Sequence, residues 1–206
     1  MNSHPVTFSL SRPDQFERVH VAVRLLLLMA LAVVGMPQGG WFLLLMLLLP
    51  AFAAVQAANK GGARYLKEDG PFVVTVMHWL LGAYAYLALL TDRLPDKDFR
   101  NHVGFSVEVQ GSATPSSALW RLVMSLPALL MLALLGIVSS VVWVVSMVLV
   151  AFTGNYPAAL FDFQCGVLRY LARILAYHAS LVELYPTMAV LAASDGPRDM
   201  GHPNAA

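Results

Sequence analysis

The sequence has few charged residues and almost no cysteine. Charged side chains make up 12% of its 206 residues, and 13 Lys and Arg nearly balance 12 Asp and Glu. Soluble proteins carry about 25% charged residues. The hydrophobic fraction of 58% excludes a disordered chain, and the charge balance excludes a basic nucleic-acid-binding domain. The single cysteine, Cys165, excludes an intramolecular disulfide framework and a cysteine-based zinc site.

The charges that are present avoid three long windows. Residues 25–59, 70–91 and 122–161 contain no Asp, Glu, Lys or Arg, over 35, 22 and 40 residues. A helix in water needs a polar face, and a charge-free window of this length cannot provide one. A helix crosses a bilayer with about 20 consecutive apolar residues. The sequence therefore predicts an integral membrane protein.

A pattern of strand, arginine, tyrosine and acid occurs twice along the chain. The matches at a spacing of 97 residues are Val6-x-Phe8-Ser9 with Val103-x-Phe105-Ser106 and Arg24-Leu25 with Arg121-Leu122. The matches at a spacing of 91 residues are Tyr86 with Tyr177, Asp92 with Glu183, and Leu94-Pro95 with Tyr185-Pro186. Chance similarity among Leu-, Ala- and Val-rich stretches is the alternative. The ordered agreement of these features favours an internal repeat.

The repeat predicts an all-α membrane protein made of two tandem repeats. Each repeat has a short extramembrane strand, a transmembrane helical hairpin and an amphipathic or interfacial helix. The first repeat covers residues 1–100, the second covers 101–192, and residues 193–206 form a disordered tail. We expect four transmembrane helices. Six is the alternative, because residues 71–91 are also apolar enough to span.

The positions of Lys and Arg favour the four-helix topology. Neither expected hairpin tip, at residues 36–40 and about 133–140, contains a charge, whereas the hairpin bases are flanked by Lys and Arg. Cytoplasmic loops of membrane proteins are rich in these residues. We therefore expect a multi-pass protein of the bacterial inner (cytoplasmic) membrane with both strands on the cytoplasmic side. There the strands should pair with each other, pack on the polar helices and allow a crosslink between Thr7 and Gly104.

The polar helix of the second repeat contains the main candidate site. Asp162, Arg169, Arg173 and Tyr177 follow one another at steps of seven, four and four residues, so they share a helix face. Arginines match the geometry of phosphate groups. The pattern therefore predicts a lipid- or partner-binding site at the level of the lipid headgroups. Internal pairing of the arginines with Asp162 or Glu183 is the alternative.

Three further residues belong to this predicted site. Arg24 and Arg121 lie about one turn inside their apolar runs, where we expect them to extend to the cytoplasmic headgroups. Binding of an anionic lipid is the functional form of that expectation. His78 occupies the position in the first repeat that Arg169 occupies in the second.

Catalysis and cofactor binding find no support in the sequence. It lacks the Gly-x-Ser-x-Gly, P-loop and His-Glu-x-x-His motifs. The histidines form no His-x3-His pair and no Glu-x-x-His motif that would indicate a metal or haem site. Cys165 lies among apolar residues, which is typical of a small core residue. We therefore expect no enzyme activity, no cofactor and no metal.

The second repeat resembles a known family. The motifs that carry the resemblance are Phe152-Thr153-Gly154-Asn155-Tyr156-Pro157, Leu160-Phe161-Asp162-Phe163, Gly166-Val167-Leu168-Arg169, Arg173, Ala176-Tyr177 and Tyr185-Pro186. They are similar to those of a bacterial integral-membrane family defined as a domain of unknown function. The resemblance covers residues 103–186 and implies a membrane class and unit boundaries. The first repeat differs, because its junction lacks Phe-Thr-Gly and His78 replaces the family arginine.

These observations lead to a functional expectation without an enzymatic step. We expect a non-enzymatic membrane protein that acts as a partner scaffold or binds lipid through its cytoplasmic polar helices. Its partners would be membrane lipids, anionic ones among them, and a membrane protein, but not nucleic acid. The alternative is a subunit of a membrane transporter with a polar path between the repeats. A membrane enzyme is a third class with no supporting constellation.

Overall fold

The fold is mostly helical, with one small sheet. The computed structural model describes residues 4–13, 16–33, 38–93 and 103–186, with side chains except at residues 30–33 and 38–43. Its elements in chain order are β1 (Val6–Leu10), α1 (Arg18–Val33), α2 (Gln38–Lys60), α3 (Gly62–Glu68), α4 (Gly70–Leu87), β2 (Val103–Val107), α5 (Pro115–Met124), α6 (Leu126–Thr153) and α7 (Ala158–His178). Two of the expected regions lie outside the described residues, the 94–100 loop and the 193–206 tail, as does most of the 36–40 tip.

The two strands form an antiparallel pair in which Phe8 lies opposite Phe105. Phe8 and Val103 are buried on the inner face, whereas Ser9 and Ser106 are exposed on the outer face. This alternation follows from the two-residue period of a strand. The inner face contacts α7 and α4. The prediction that the strands pair and pack on the polar helices is therefore confirmed.

The register of the sheet differs from the expected crosslink and gives a sharper one. Thr7 lies opposite Ser106, not Gly104, and the two hydroxyl oxygens are 2.7 Å apart. In a Cys165→Ala background, we expect Thr7→Cys with Ser106→Cys to form a disulfide under mild oxidation, because residues directly opposite satisfy disulfide geometry. Non-reducing electrophoresis measures the product. Thr7→Cys with Gly104→Cys is the control, and equal crosslinking of both pairs would contradict the register.

Helix α6 corrects the expected second hairpin. A tip at residues 133–140 is wrong, because α6 is one uninterrupted helix of 28 residues. Gly136 is the only glycine in this stretch and no proline adjoins it, and a single glycine does not end a helix. The helix ends instead at Gly154, which adopts a left-handed φ of 72°. The Gly-Asn-Tyr-Pro segment at 154–157 is therefore the turn of this half.

Helix α7 returns along α6 in the opposite direction. Near the turn, Ser139 and Gln164 exchange two hydrogen bonds between the helices. Near the far end, Ser125 Oγ and His178 Nε2 lie 2.7 Å apart. Polar contacts of this kind hold helices together where water is absent. Almost all of α7 from Gln164 to His178 is buried, so this helix forms the centre of the fold.

Two helices are long and apolar enough to cross a membrane. They are α4 and α6, and protein covers only 11% of the most apolar window of α6. Helices α2 and α3 together would make a third span if the bent pair is one unit. The bend of 114° follows α2 at Gly61, which has a φ of 83°. The prediction of apolar helices that can cross a membrane is confirmed at this level.

Candidate functional site

Arg24 does not extend to the surface but is enclosed by protein. Its side chain is 1% exposed. Nη2 donates hydrogen bonds to the carbonyl oxygen of Thr91 and to Asp92 Oδ1, the latter at 2.9 Å. The guanidinium lies over the ring of Tyr86, 4.5 Å from its centroid. The expectation that Arg24 reaches the headgroups is therefore wrong, because its donors are used by backbone and side-chain acceptors inside the protein.

Arg121 occupies a corresponding enclosure in the second half. It is buried, and Nη1 donates to the carbonyl oxygens of Tyr177, at 3.2 Å, and Val182. Its guanidinium lies over the Tyr177 ring, 4.8 Å from the centroid. Arg121 thus does not extend to the headgroups either. Burial on the inward side of a short helix, not depth in the membrane, determines where both guanidiniums lie.

The carbonyls that receive these arginines belong to similar turns. Leu89 and Ser180 follow the ends of α4 and α7 with left-handed φ values of 65° and 56°. Their amides donate to the carbonyl oxygens of Tyr86 and Tyr177, respectively. A left-handed residue after a helix reverses the chain and satisfies its last carbonyls. The chain direction after each turn brings Thr91 O and Val182 O to the arginines.

The acid after each turn holds the segment that precedes the arginine helix. Asp92 Oδ2 accepts a hydrogen bond of 2.8 Å from the amide of Glu17, just before α1. Glu183 Oε1 accepts from the amide of Ser112, at 3.0 Å, and from its hydroxyl. The Ser112 hydrogen bonds hold the pKa of Glu183 below its usual range. Glu183 therefore serves as a latch for the segment before α5.

The Ser180 turn offers a stabilising substitution. Ser180 is fully buried with a left-handed φ, and its hydroxyl has no hydrogen-bond partner among the described residues. We expect Ser180→Gly to stabilise the protein by about 1 kcal/mol, because glycine relieves the strain and removes a buried hydroxyl. Leu89→Gly relieves the same strain but deletes a buried side chain, so it should destabilise. Thermal unfolding in detergent measures both, and a lower melting temperature for Ser180→Gly would contradict this account.

The arginines of α7 are buried. Arg169 and Arg173 are 9% and 6% exposed, because the sheet and neighbouring helices cover the face that the sequence marks as polar. Arg169 Nε donates to the carbonyl oxygen of Phe8 in β1 at 3.3 Å. Asp162 is exposed and Tyr177 is buried. The assignment of these residues to lipid or partner binding stays a prediction.

His78 on α4 makes the corresponding contact with the other strand. Its Nε2 donates to the carbonyl oxygen of Val103 in β2 at 2.7 Å. Arg169 and His78 thus each satisfy one strand carbonyl from the helix layer beneath the sheet. Side chains that satisfy backbone groups of edge strands keep a short sheet from pairing with other chains. The sequence match between these positions has this structural counterpart.

The site therefore consists mainly of structural anchors. Sequence reasoning found the arginines, tyrosines and acids, but it missed the carbonyls of Thr91 and Val182 and the role of Ser112, which side-chain patterns do not reveal. Among the described residues, no group of three or more His, Cys, Asp or Glu could hold a metal ion.

Comparison with known proteins identifies one region of the chain. No curated protein and no solved structure matches the sequence. One family model matches residues 115–189, which include Arg121, the whole of α7 and Glu183. The resemblance of the second half to a domain of unknown function is confirmed over this range. A DUF4389 domain, a domain of unknown function, is found at residues 115–189.

Proposed function

We propose that the protein is a non-enzymatic, multi-pass integral membrane protein of the bacterial cytoplasmic membrane that serves as a scaffold or lipid-binding protein. The observation that carries this proposal is the contrast between two surfaces attached to α7. On one side, α6 exposes apolar side chains along most of its length. On the other, the sheet exposes Ser9 and Ser106. This combination fits a lipid-embedded body that presents a small polar platform to a partner.

The tandem repeat is part of the proposal. Its support is that equivalent contacts occur in both halves at the spacings read from the sequence. Arg24 is enclosed by Tyr86 and Thr91, as Arg121 is by Tyr177 and Val182. Strand β1 contacts α7, and β2 contacts α4. Each half therefore supplies the helix on which the other half's strand rests.

The strand pair also supports an even number of crossings between the strands. A polar two-stranded ribbon lies outside the hydrocarbon, because open sheet edges cannot be satisfied by lipid. Paired strands must then lie on the same side of the membrane. The chain between Leu10 and Val103 must cross an even number of times to return there. This favours four crossings in total over six, and the positive-inside rule favours the cytoplasm as the strand side.

Site-specific photo-crosslinking in intact cells tests the platform. A photoreactive amino acid replaces Ser9 on the outer face of the sheet, or Val141, a 62% exposed residue of α6. We expect discrete protein adducts from Ser9 and mainly lipid adducts from Val141. Protein adducts from neither position, together with solute flux in proteoliposomes, would overturn the scaffold and favour a transporter subunit.

The buried arginines need a separate test. The double variant Arg169→Ala with Arg173→Ala is purified in mild detergent and compared with the unmodified protein. Loss of a co-purifying anionic lipid or protein at an unchanged melting temperature would assign the pair to binding. Retention with a lower melting temperature would assign it to the fold, since at least the Phe8 carbonyl would lose its partner.

A further inference from the structure

The arginines and lysines of the described chain divide into buried and exposed groups. The buried ones are Arg24, Arg121, Arg169 and Arg173. Three of the exposed ones cluster where α2 meets α3: Lys60, Arg64 and Lys67. A headgroup phosphate can reach only the exposed group without rearrangement of the core. The cluster around α3 is therefore the better candidate for lipid contact.

Helix α2 indicates where the membrane surface lies relative to this cluster. One face of α2 exposes an apolar stripe at helical spacing, and it consists of Leu44, Leu47, Leu48, Phe52 and Val55. Such a stripe faces lipid in a membrane protein. The stripe ends shortly before Lys60, and the chain then bends by 114° into α3. If α2 runs through the bilayer, α3 lies along its surface.

Helix α3 has one face in the protein and one outside it. Tyr65 is fully buried, and its hydroxyl donates to the carbonyl oxygen of Ala179 at 2.8 Å. Arg64 and Lys67, three residues apart, are exposed on the same side. The Tyr65 anchor therefore fixes the helix so that both cations stay outside.

Nearby acids hold two of the cations in place without cancelling the charge. Lys60 Nζ lies 3.2 and 3.1 Å from the carboxylate oxygens of Asp69. Arg64 Nε donates to Glu68 Oε1 at 2.7 Å. Three cations face two acids over residues 60–69, which leaves a positive excess. Arg64 uses one of its five N–H hydrogens in this bond, so its terminal nitrogens can bind a phosphate in the two-pronged geometry of arginine.

Exposed aromatic side chains continue the surface onto α4. Phe72 and Trp79 are 66% and 53% exposed and lie seven residues apart, on one helix face. Aromatic rings of this kind collect at the boundary between headgroups and acyl chains. A basic helix next to bare aromatic rings matches an interfacial lipid contact.

We propose that residues 60–72, named here the α3 elbow, form a binding site for the headgroup of an anionic phospholipid. Arg64 and Lys67 bind its phosphate, and Phe72 enters the adjoining acyl region. The inference rests on the membrane insertion that the proposed function assumes. It assigns lipid contact to residues that the sequence pattern places only in a polar connection.

Lipid titration of the full-length protein followed by native mass spectrometry tests the α3 elbow. We expect tighter binding of phosphatidylglycerol than of phosphatidylcholine. Arg64→Ala with Lys67→Ala should weaken phosphatidylglycerol binding roughly 30-fold, because each cation near an anionic surface contributes about a fivefold factor. Arg12→Ala with Arg18→Ala removes the same charge from exposed positions elsewhere and should leave the affinity unchanged.

Further arms separate the possible outcomes. Unchanged affinity in the Arg64 and Lys67 double variant would overturn the proposal, as would displacement of the lipid by millimolar inorganic phosphate, which indicates a site for free anions. The swap Arg64→Lys with Lys67→Arg conserves charge and must retain lipid if the double variant merely misfolds. Extraction of the protein from membranes by alkaline carbonate would contradict the proposed function itself, independently of the lipid result.

Discussion

Arg121→Ala is expected to lower the free energy of unfolding by about 3–5 kcal/mol, the usual cost of leaving buried partners of a charge unsatisfied. The variant removes the donor for the carbonyls of Tyr177 and Val182 and empties the space over the Tyr177 ring. Arg24→Ala should cost a similar amount, because it also leaves Asp92 without its ion pair. Thermal unfolding in detergent should show a fall of roughly 10 °C for either variant.

Two control variants make this prediction specific. Arg18→Ala removes an exposed cation from the first turn of α1 and should change the melting temperature little. Arg121→Lys retains the charge but lacks the planar guanidinium that stacks on Tyr177, so an intermediate loss is expected. If Arg121→Ala behaved like Arg18→Ala, the enclosure of Arg121 would contribute nothing to stability.

Gly62→Ala is the second substitution with a large expected effect. A Cβ atom on Gly62 would overlap the carbonyl group of Ala113 in the segment before α5. Because backbone atoms cannot rotate away as a side chain can, α3 and this segment must separate. We expect a loss of about 1–3 kcal/mol, the range for overpacking a tight contact. Thermal unfolding measures the loss, and faster hydrogen exchange of the amides around Tyr65 would report the separation.

A glycine series distinguishes close contact from backbone strain. Gly61 has a left-handed φ of 83°, but no atom lies within 4 Å of the position that an added Cβ would take. Gly61→Ala should therefore cost about 1–2 kcal/mol through strain alone. Gly136 has neither constraint, and Gly136→Ala should be neutral or stabilise α6 by up to about 1 kcal/mol. A loss at Gly136 that equals the loss at Gly62 would contradict the contact.

Local pattern was sufficient for several features of the fold. The alternation around Phe8 and Phe105 predicted two strands, and the structure pairs these residues directly. The charge-free windows predicted helices able to cross a membrane, and α6 is such a helix. The junction motif at 152–157 carried the family resemblance and contains the turn between α6 and α7. Each of these depends on residues close together in the chain.

Other features needed contacts between distant segments. The apolar run after Arg121 was long enough for two crossings, and composition alone could not distinguish a hairpin from one long helix. Arg24 lies at a position from which a side chain could reach the surface or the interior. The turn at Leu89 and the acid of Asp92 decided for the interior. The periodicity of α7 indicated a polar face but not that the sheet would cover it.

The sequence by itself determined which segments are apolar, where strands and turns can form, and which residues carry charge, because these properties depend on local composition and spacing. Only the tertiary structure decided which charges are buried. Burial of a guanidinium requires acceptors at the right distance, and here they are backbone carbonyls about 60 residues away along the chain. The same requirement separates Arg121, which is held inside, from Arg64, which stays at the surface.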